Sequence, residues 1–145
     1  MIPGKDFVGV GVGALILRGR KALMLLRSDR CRNNAGMWTV PGGMLETYEK
    51  LEDAVKREVS EETGLTVTGL KFMTVSDRIF DEQHWISIMY LCDVEGEPRN
   101  VEADKHSGIE WLDIDRLPDN VTTPSMDVIT EYIRQSHDPV TPPGA

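Results

Sequence analysis

The chain is expected to fold as an α/β protein, a mixed β-sheet with helices packed on it. Three features of the sequence point there. Short β-rich segments divided by turn residues occupy most of the 145 residues, one strongly patterned helical stretch spans Thr47 to Thr63, and a second covers Pro124 to Gln135. The length suits one domain with one core, taken as residues 1–137.

In chain order, Phe7 to Leu17 alternates apolar residues with glycine and ends in Ala14-Leu15-Ile16-Leu17, which predicts a strand. Gly19-Arg20 is a turn signal and Ala22 to Leu26 a second strand, so the two read as a hairpin. Ser28 to Gly36 is a polar loop, and Met37 to Val40 a short strand stopped by Pro41 and Gly42-Gly43. For the helix at 47–63, Thr47 is the predicted N-cap and Gly64 the C-terminal stop. Leu65 to Ile79 holds one or two β segments, and His84 to Val94 is a strand rich in Ile, Trp and Tyr. Glu95 to Gly108 is a charged loop, Ile109 to Ile114 the last strand and Pro124 to Gln135 the last helix. The tail from Asp138 carries three prolines and is expected to be disordered.

Bulk properties narrow the function classes. No apolar run reaches the roughly 18 residues of a membrane span, and Met1 to Asp6 lacks the basic start and apolar stretch of a secretory signal. Cys31 and Cys92 have no metal-ligand spacing, and free thiols in a cytoplasmic protein are the expectation. The net charge of −8 with no basic stripe argues against a nucleic-acid partner. An acidic protein acting on an anionic substrate would need positive charge between them, and a divalent cation is the obvious candidate.

The informative segment is Gly42 to Leu65. At about 100° per residue, Leu51, Ala54, Val55 and Val59 form one apolar stripe, with Asp53, Lys56 and Ser60 opposite. Glu58 and Glu62 fall inside that stripe and Glu61 at its edge, so three carboxylates converge on one patch beside the sheet. A solvated acidic helix end is the plainer reading of clustered glutamates, but these lie on the face meant for burial. Desolvating unpaired charge costs several kcal/mol. Raised pKa values would relieve it. So would Mg²⁺, which takes oxygen ligands and bridges carboxylates to substrate phosphates. Gly42-Gly43 lets backbone approach a ligand and leads towards the helix N-terminus, where anions are favoured.

Gly43, five residues, Glu49, seven residues, then Arg57-Glu58-Val59-Ser60-Glu61-Glu62-Thr63-Gly64-Leu65 resembles the full Nudix signature. The resemblance implies a Nudix-type α/β/α sandwich and Mg²⁺- or Mn²⁺-dependent hydrolysis of a phosphoanhydride. It implies Glu58, Glu61 and Glu62 as metal ligands, Gly43 beside them, Arg57 orienting one glutamate by an ion pair, and Glu49 and Glu46 as supporting acids. Arg27, after Leu25-Leu26, matches an arginine usual at that strand end, and Met37 to Gly43 matches the approach to the signature. Asn100-Val101-Glu102-Ala103-Asp104-Lys105, Gly108-Ile109-Glu110-Trp111 and Leu117-Pro118 resemble the cytosolic nucleoside triphosphate diphosphatase branch, which has Pro at Ala103 and Cys at His106. Phe80 and Asp81 stand where many ADP-ribose hydrolases of the family carry a proline.

The substrate expected is a small-molecule nucleoside diphosphate linked to X, most simply a nucleoside triphosphate giving monophosphate and pyrophosphate. Arg27, Gly42, Gly43 and Glu46 are the candidate substrate-binding residues, and Arg57, Glu58, Glu61, Glu62 and Glu102 the candidate catalytic ones. Glu61, Glu62 and Glu102 remain alternative general bases, because clustered carboxylates titrate together. A hydrolase of nucleotide sugars such as ADP-ribose and a non-catalytic nucleotide binder are the competing classes. No membrane association is expected, and a homodimer is one assembly the reading allows. Trp38, Trp85 and Trp111 are expected in the core, and His84 and His106 on the surface.

Overall fold

A computed structural model describes residues 1–137; the tail from Asp138 lies outside the described residues. The elements are β1 (Gly9–Arg18), β2 (Lys21–Arg27), β3 (Trp38–Thr39), β4 (Gly42–Met44), α1 (Leu51–Thr63), β5 (Thr66–Phe80), β6 (Gln83–Glu95), β7 (His106–Asp113) and α2 (Thr123–His137). The sheet is mixed: β1 and β6 run parallel, and the other pairings are antiparallel. Beyond the short β1–β2 hairpin, β2 pairs with β3 and β7, while β1 pairs with β4 and β6, and β6 with β5.

The two helices cover opposite faces, which period-2 alternation along β1 makes possible. Val12, Ala14 and Ile16 face α1 and bury Ala54, Val55 and Val59 together with Leu65, Tyr90 and Cys92. Leu15 points the other way and joins Met24, Val40, Met89, Val128 and Ile129 under α2. The expected α/β/α layering is therefore the observed one.

Local differences have local causes. Helix α1 begins at Leu51, with Lys50 as its N-cap and no side-chain cap, instead of at Thr47. Residues 46–49 form a turn closed by Glu49 N–H on Glu46 O, and Tyr48 sits at φ 65°, which no helix interior accepts. Gly64 ends the helix at φ 75°, as expected of a glycine stop. Gly42-Gly43, expected to stop the preceding strand, itself forms strand β4, registered against Gly13 and Val12 of β1. The region from Leu65 is one long strand, and Asp81-Glu82 at φ 47° and 59° make the two-residue turn joining it to β6. The last strand starts at His106, three residues before the expected Ile109, and pairs that histidine with Arg27 across a bulge.

Candidate functional site

The α1 stripe places the glutamates as the wheel predicts. The Glu62 side chain is 8% exposed and that of Glu58 13%, whereas Glu61 at 49% lies on the rim. Arg57 organises the outer part. Its Nε and Nη2 donate to the two oxygens of Glu49 at 2.7 and 3.0 Å, a bidentate grip that holds the Glu49 carboxyl below the usual range. Nη1 donates to Glu58 at 2.7 Å and to Glu61 at 3.3 Å, and Nη2 to the Met44 carbonyl at 3.0 Å. Glu46 is exposed and stands 3.8 Å from Arg57.

The inner part is built by β4. Gly42 N–H donates to Glu62 Oε1 at 2.7 Å. A Cβ on Gly43 would lie 2.5 Å from the Glu58 carboxyl, so only glycine lets that acid press against the strand. Burial pushes the Glu62 carboxyl up to about 8, with Glu58 and Glu102 adding repulsion and the Gly42 hydrogen bond opposing it. Burial raises Glu58 as well, against the pull of Arg57.

Glu102 arrives from the loop after β6. That loop is stitched to the end of α1, where Arg99 N–H donates to Thr63 O at 2.9 Å and Val101 N–H to Glu62 O at 3.2 Å. It is also stitched to the end of β2, where Ser28 N–H donates to Lys105 O and Ser28 Oγ to Asp104 O, both at 2.9 Å. One oxygen each of Glu62 and Glu102 and a ring nitrogen of His106 consequently lie within 4.8 Å of one another. His106 is 2% exposed, contrary to the expected surface position, because the first residue of β7 is covered by this double-stitched loop. Its Nε2 is 3.5 Å from Glu62, its Nδ1 has no hydrogen-bond partner among the described residues, and burial brings its pKa down to about 4, with Arg27 and Lys105 adding to the drop. The imidazole is therefore neutral near pH 7.

Gly42 and Gly43 border both this acid group and an open cleft on the α2 side of the sheet. Arg27 lines the cleft too, and its charge acts on both Glu62 and His106. Arg27 Nε donates to Asn33 O at 2.8 Å, and Asn33 and Gln83 exchange amide hydrogen bonds at 3.3 Å, so the 28–36 loop frames the cleft against the β5–β6 turn. Trp85, expected in the core, is half-buried and lines the cleft instead. Trp38 packs against the α2-side core, and Trp111 is stacked under Arg18 at 4.4 Å.

The expected site residues thus fall into three places. Glu62 and Glu102 meet at the inner group, Glu58 and Glu61 gather around Arg57, and Arg27, Gly42 and Gly43 reach the cleft, while Glu46 stays outside it. Sequence reading missed His106, Arg78 and Trp85. Their type is visible in the chain, but only the strand register puts them beside the site.

The NUDIX domain family matches residues 8–132. The chain is 32% identical over 110 residues to the NAD-capped RNA hydrolase NudC of Vibrio atlanticus, covering 72% of this chain and 38% of that protein. It is 33% identical over 129 residues to the ADP-ribose pyrophosphatase of Methanocaldococcus jannaschii, covering 86% and 73% of the two. Among solved structures, a MutT NUDIX hydrolase from Burkholderia pseudomallei is similar at TM-score 0.81 and 34% identity, over 86% of this chain and 97% of that one. The chain spans well under half the length of the Vibrio relative.

Proposed function

Because the chain belongs to the Nudix hydrolase family, we propose that it is a divalent-cation-dependent hydrolase of nucleoside triphosphates or related triphosphates, releasing monophosphate and pyrophosphate. The observation that carries the reading is the acid group at Glu62 and Glu102, which adjoins an open cleft through Gly42, Gly43 and Arg27.

The residues fit a hard cation. Glu62 is buried among like charges with its carboxyl pushed up to about 8, and a cation would relieve that cost. Glu58, Glu61, Glu62 and the Gly43 main chain would hold Mg²⁺ or Mn²⁺, with Glu102 completing the set. When bound, such an ion neutralises phosphate charge and makes water a better nucleophile.

The protein's own groups supply positioning and proton transfer. Arg57 fixes the Glu58 and Glu49 carboxylates, so that Glu58 cannot swing out to solvent. Arg27 offers its guanidinium to the substrate phosphates at the junction of the two regions. In the reaction, water oxygen forms a bond to phosphorus as the bridging P–O bond breaks, pyrophosphate leaves, and the water proton passes to the coupled carboxylate group. The Asn100 to Lys105 segment and the absence of proline at Phe80-Asp81 favour a triphosphate. Likeness to the archaeal ADP-ribose pyrophosphatase favours a second reading, cleavage of a nucleoside diphosphate sugar.

The test is a nucleotide panel in Mg²⁺ with products resolved by chromatography, including ADP-ribose and, given the Vibrio relative's name, NAD-capped RNA. Triphosphates should yield monophosphate and pyrophosphate, and excess chelator should abolish turnover. Preferential release of AMP and ribose phosphate from ADP-ribose would replace the first reading with the second, and full turnover in chelator would remove the cation requirement.

A further inference from the structure

We propose that Arg78 reads the substrate base, selecting an edge with two adjacent hydrogen-bond acceptors, guanine O6 and N7 or cytosine N3 and O2, over adenine and uracil. This rests on the nucleotide reading above and adds the base to it.

The cleft runs across the sheet. Gly42 and Gly43 of β4, beside the acid group, line it on one side of β1, and Arg78, Phe80 and Trp85 of β5 and β6 line it on the other. Phosphates drawn to the β4 side leave the base on the β5–β6 side. That side is built to be flat. Gly9, Gly11 and Gly13 of β1 stand directly opposite Trp85, Ser87 and Met89 of β6. A Cβ on Gly9 would come within 2.5 Å of the Trp85 indole, and one on Gly13 within 2.4 Å of Met89, so bare backbone is what lets these side chains lie across β1. Gln83 accepts the Trp85 Nε1–H at 2.9 Å and fixes the ring.

Arg78 sits directly across the ladder from Trp85, on the same face as Phe80 two residues on. Its guanidinium lies 5.1 Å from the Phe80 ring centroid. Its Nε is buried and, among the described residues, has no hydrogen-bond partner. Burial works against its charge, and the charge that counters this, Asp127, already accepts a hydrogen bond from Ser76 at 2.7 Å. A guanidinium donates only, through a planar fork, and Arg78 lines the cleft, so a ligand there meets it best with an acceptor or a pair of acceptors in one plane. Guanine and cytosine offer such a pair. Adenine places an amino donor beside N7, and uracil places N3–H between its two carbonyls, so each would face the fork with a donor.

The test is equilibrium binding, which needs no turnover. Calorimetry with the α,β-methylene analogues of GTP, CTP, ATP and UTP in Mg²⁺ should show the wild-type protein favouring GTP or CTP by about tenfold or more over ATP and UTP. Arg78→Gln should remove that preference while leaving ATP and UTP binding within about twofold, and Arg78→Lys, charged but without a fork, should fall between. If the variants do not fold, the wild-type protein answers alone: 7-deazaguanine or 3-deazacytosine analogues, each missing one acceptor of the pair, should bind as weakly as the adenine analogue. Equal loss across all four bases in Arg78→Gln would assign Arg78 to the shared ribose or phosphates and overturn the proposal. So would a wild-type protein that binds all four alike. Failure of every analogue to bind would instead overturn the nucleotide reading itself.

Discussion

Glu62 and His106 stand 3.5 Å apart and are shifted in opposite senses by the same burial. Glu62 titrates near 8 in the fold against an ordinary 4.5, so the folded protein holds the extra proton and this contribution to stability is lost as pH rises through that window. His106 titrates near 4 against 6.5, so the unfolded chain takes its proton first and stability is gained as pH rises from 4 to 6.5. The two slopes oppose each other between 4.5 and 6.5, where the raised Glu58 carboxyl adds to the Glu62 side, and above 6.5 His106 no longer offsets Glu62. Metal-free protein should therefore show its steeper decline in stability from pH 6.5 to 8, measured by urea denaturation in chelator. Glu62→Gln should flatten that decline. The same change should cut turnover by at least about a hundredfold, roughly 2.7 kcal/mol of barrier. Glu61→Gln, on the rim, should lose comparable activity while its metal-free stability stays within about 0.5 kcal/mol of the parent. Variants that melt much lower yet keep near-normal turnover would make the glutamates a structural ion-pair cluster.

At the scale of elements, β4 does two jobs with two glycines, and substitution separates them. A Cβ on Gly42 would fall 2.2 Å from the Val12 carbonyl oxygen, main chain that cannot yield, whereas the atoms nearest one on Gly43 are those of the Glu58 carboxyl, the far end of a flexible side chain. Gly42→Ala should therefore cost stability by about 1–3 kcal/mol or more, as overpacking against a fixed wall does. Gly43→Ala should melt closer to the parent but turn over far more slowly, because Glu58 must leave its place. Thermal melts beside steady-state rates check both, and a Gly43→Ala protein with normal rates would detach Glu58 from the site. The sequence marks this pair as a place where backbone comes close to something. It does not mark a strand, because three residues bounded by Pro41 carry no periodicity. The α1 stripe is legible because 13 residues, between three and four turns, repeat one face, while its first residue is not. Thr47 looks like a cap, but the turn at Glu46 to Glu49 and the Arg57 grip on Glu49 hold those residues out of the helix.

For the whole molecule, the acid group and the cleft are parts of one folded surface drawn from α1, β2, β4, β6 and the loop before β7, so a ligand spanning both should bind only the native state. Mg²⁺ with a non-hydrolysable triphosphate should raise the melting temperature, and by more than either alone. An unchanged melting temperature at saturating concentrations of both would count against a nucleotide site. The layering, the α1 glutamate patch and the Arg57 pairing were written in the chain itself, since helical period, glycine punctuation and the signature spacing are local properties. Where Glu102 lands, that His106 is buried, and that Trp85 and Arg78 face a cleft were decided by tertiary structure alone. Those that are decided at long range depend on contacts between residues far apart in sequence: a loop stitched to both Thr63 and Ser28, a bulge pairing Arg27 with His106, and a β1–β6 pairing that sets Gly9 opposite Trp85. The Asp81-Glu82 turn fixes locally that Arg78 and Trp85 stand opposite each other, but that their shared face meets a cleft is set by the distant strand β1, because a one-residue slip of β6 against it would turn Trp85 to the other face.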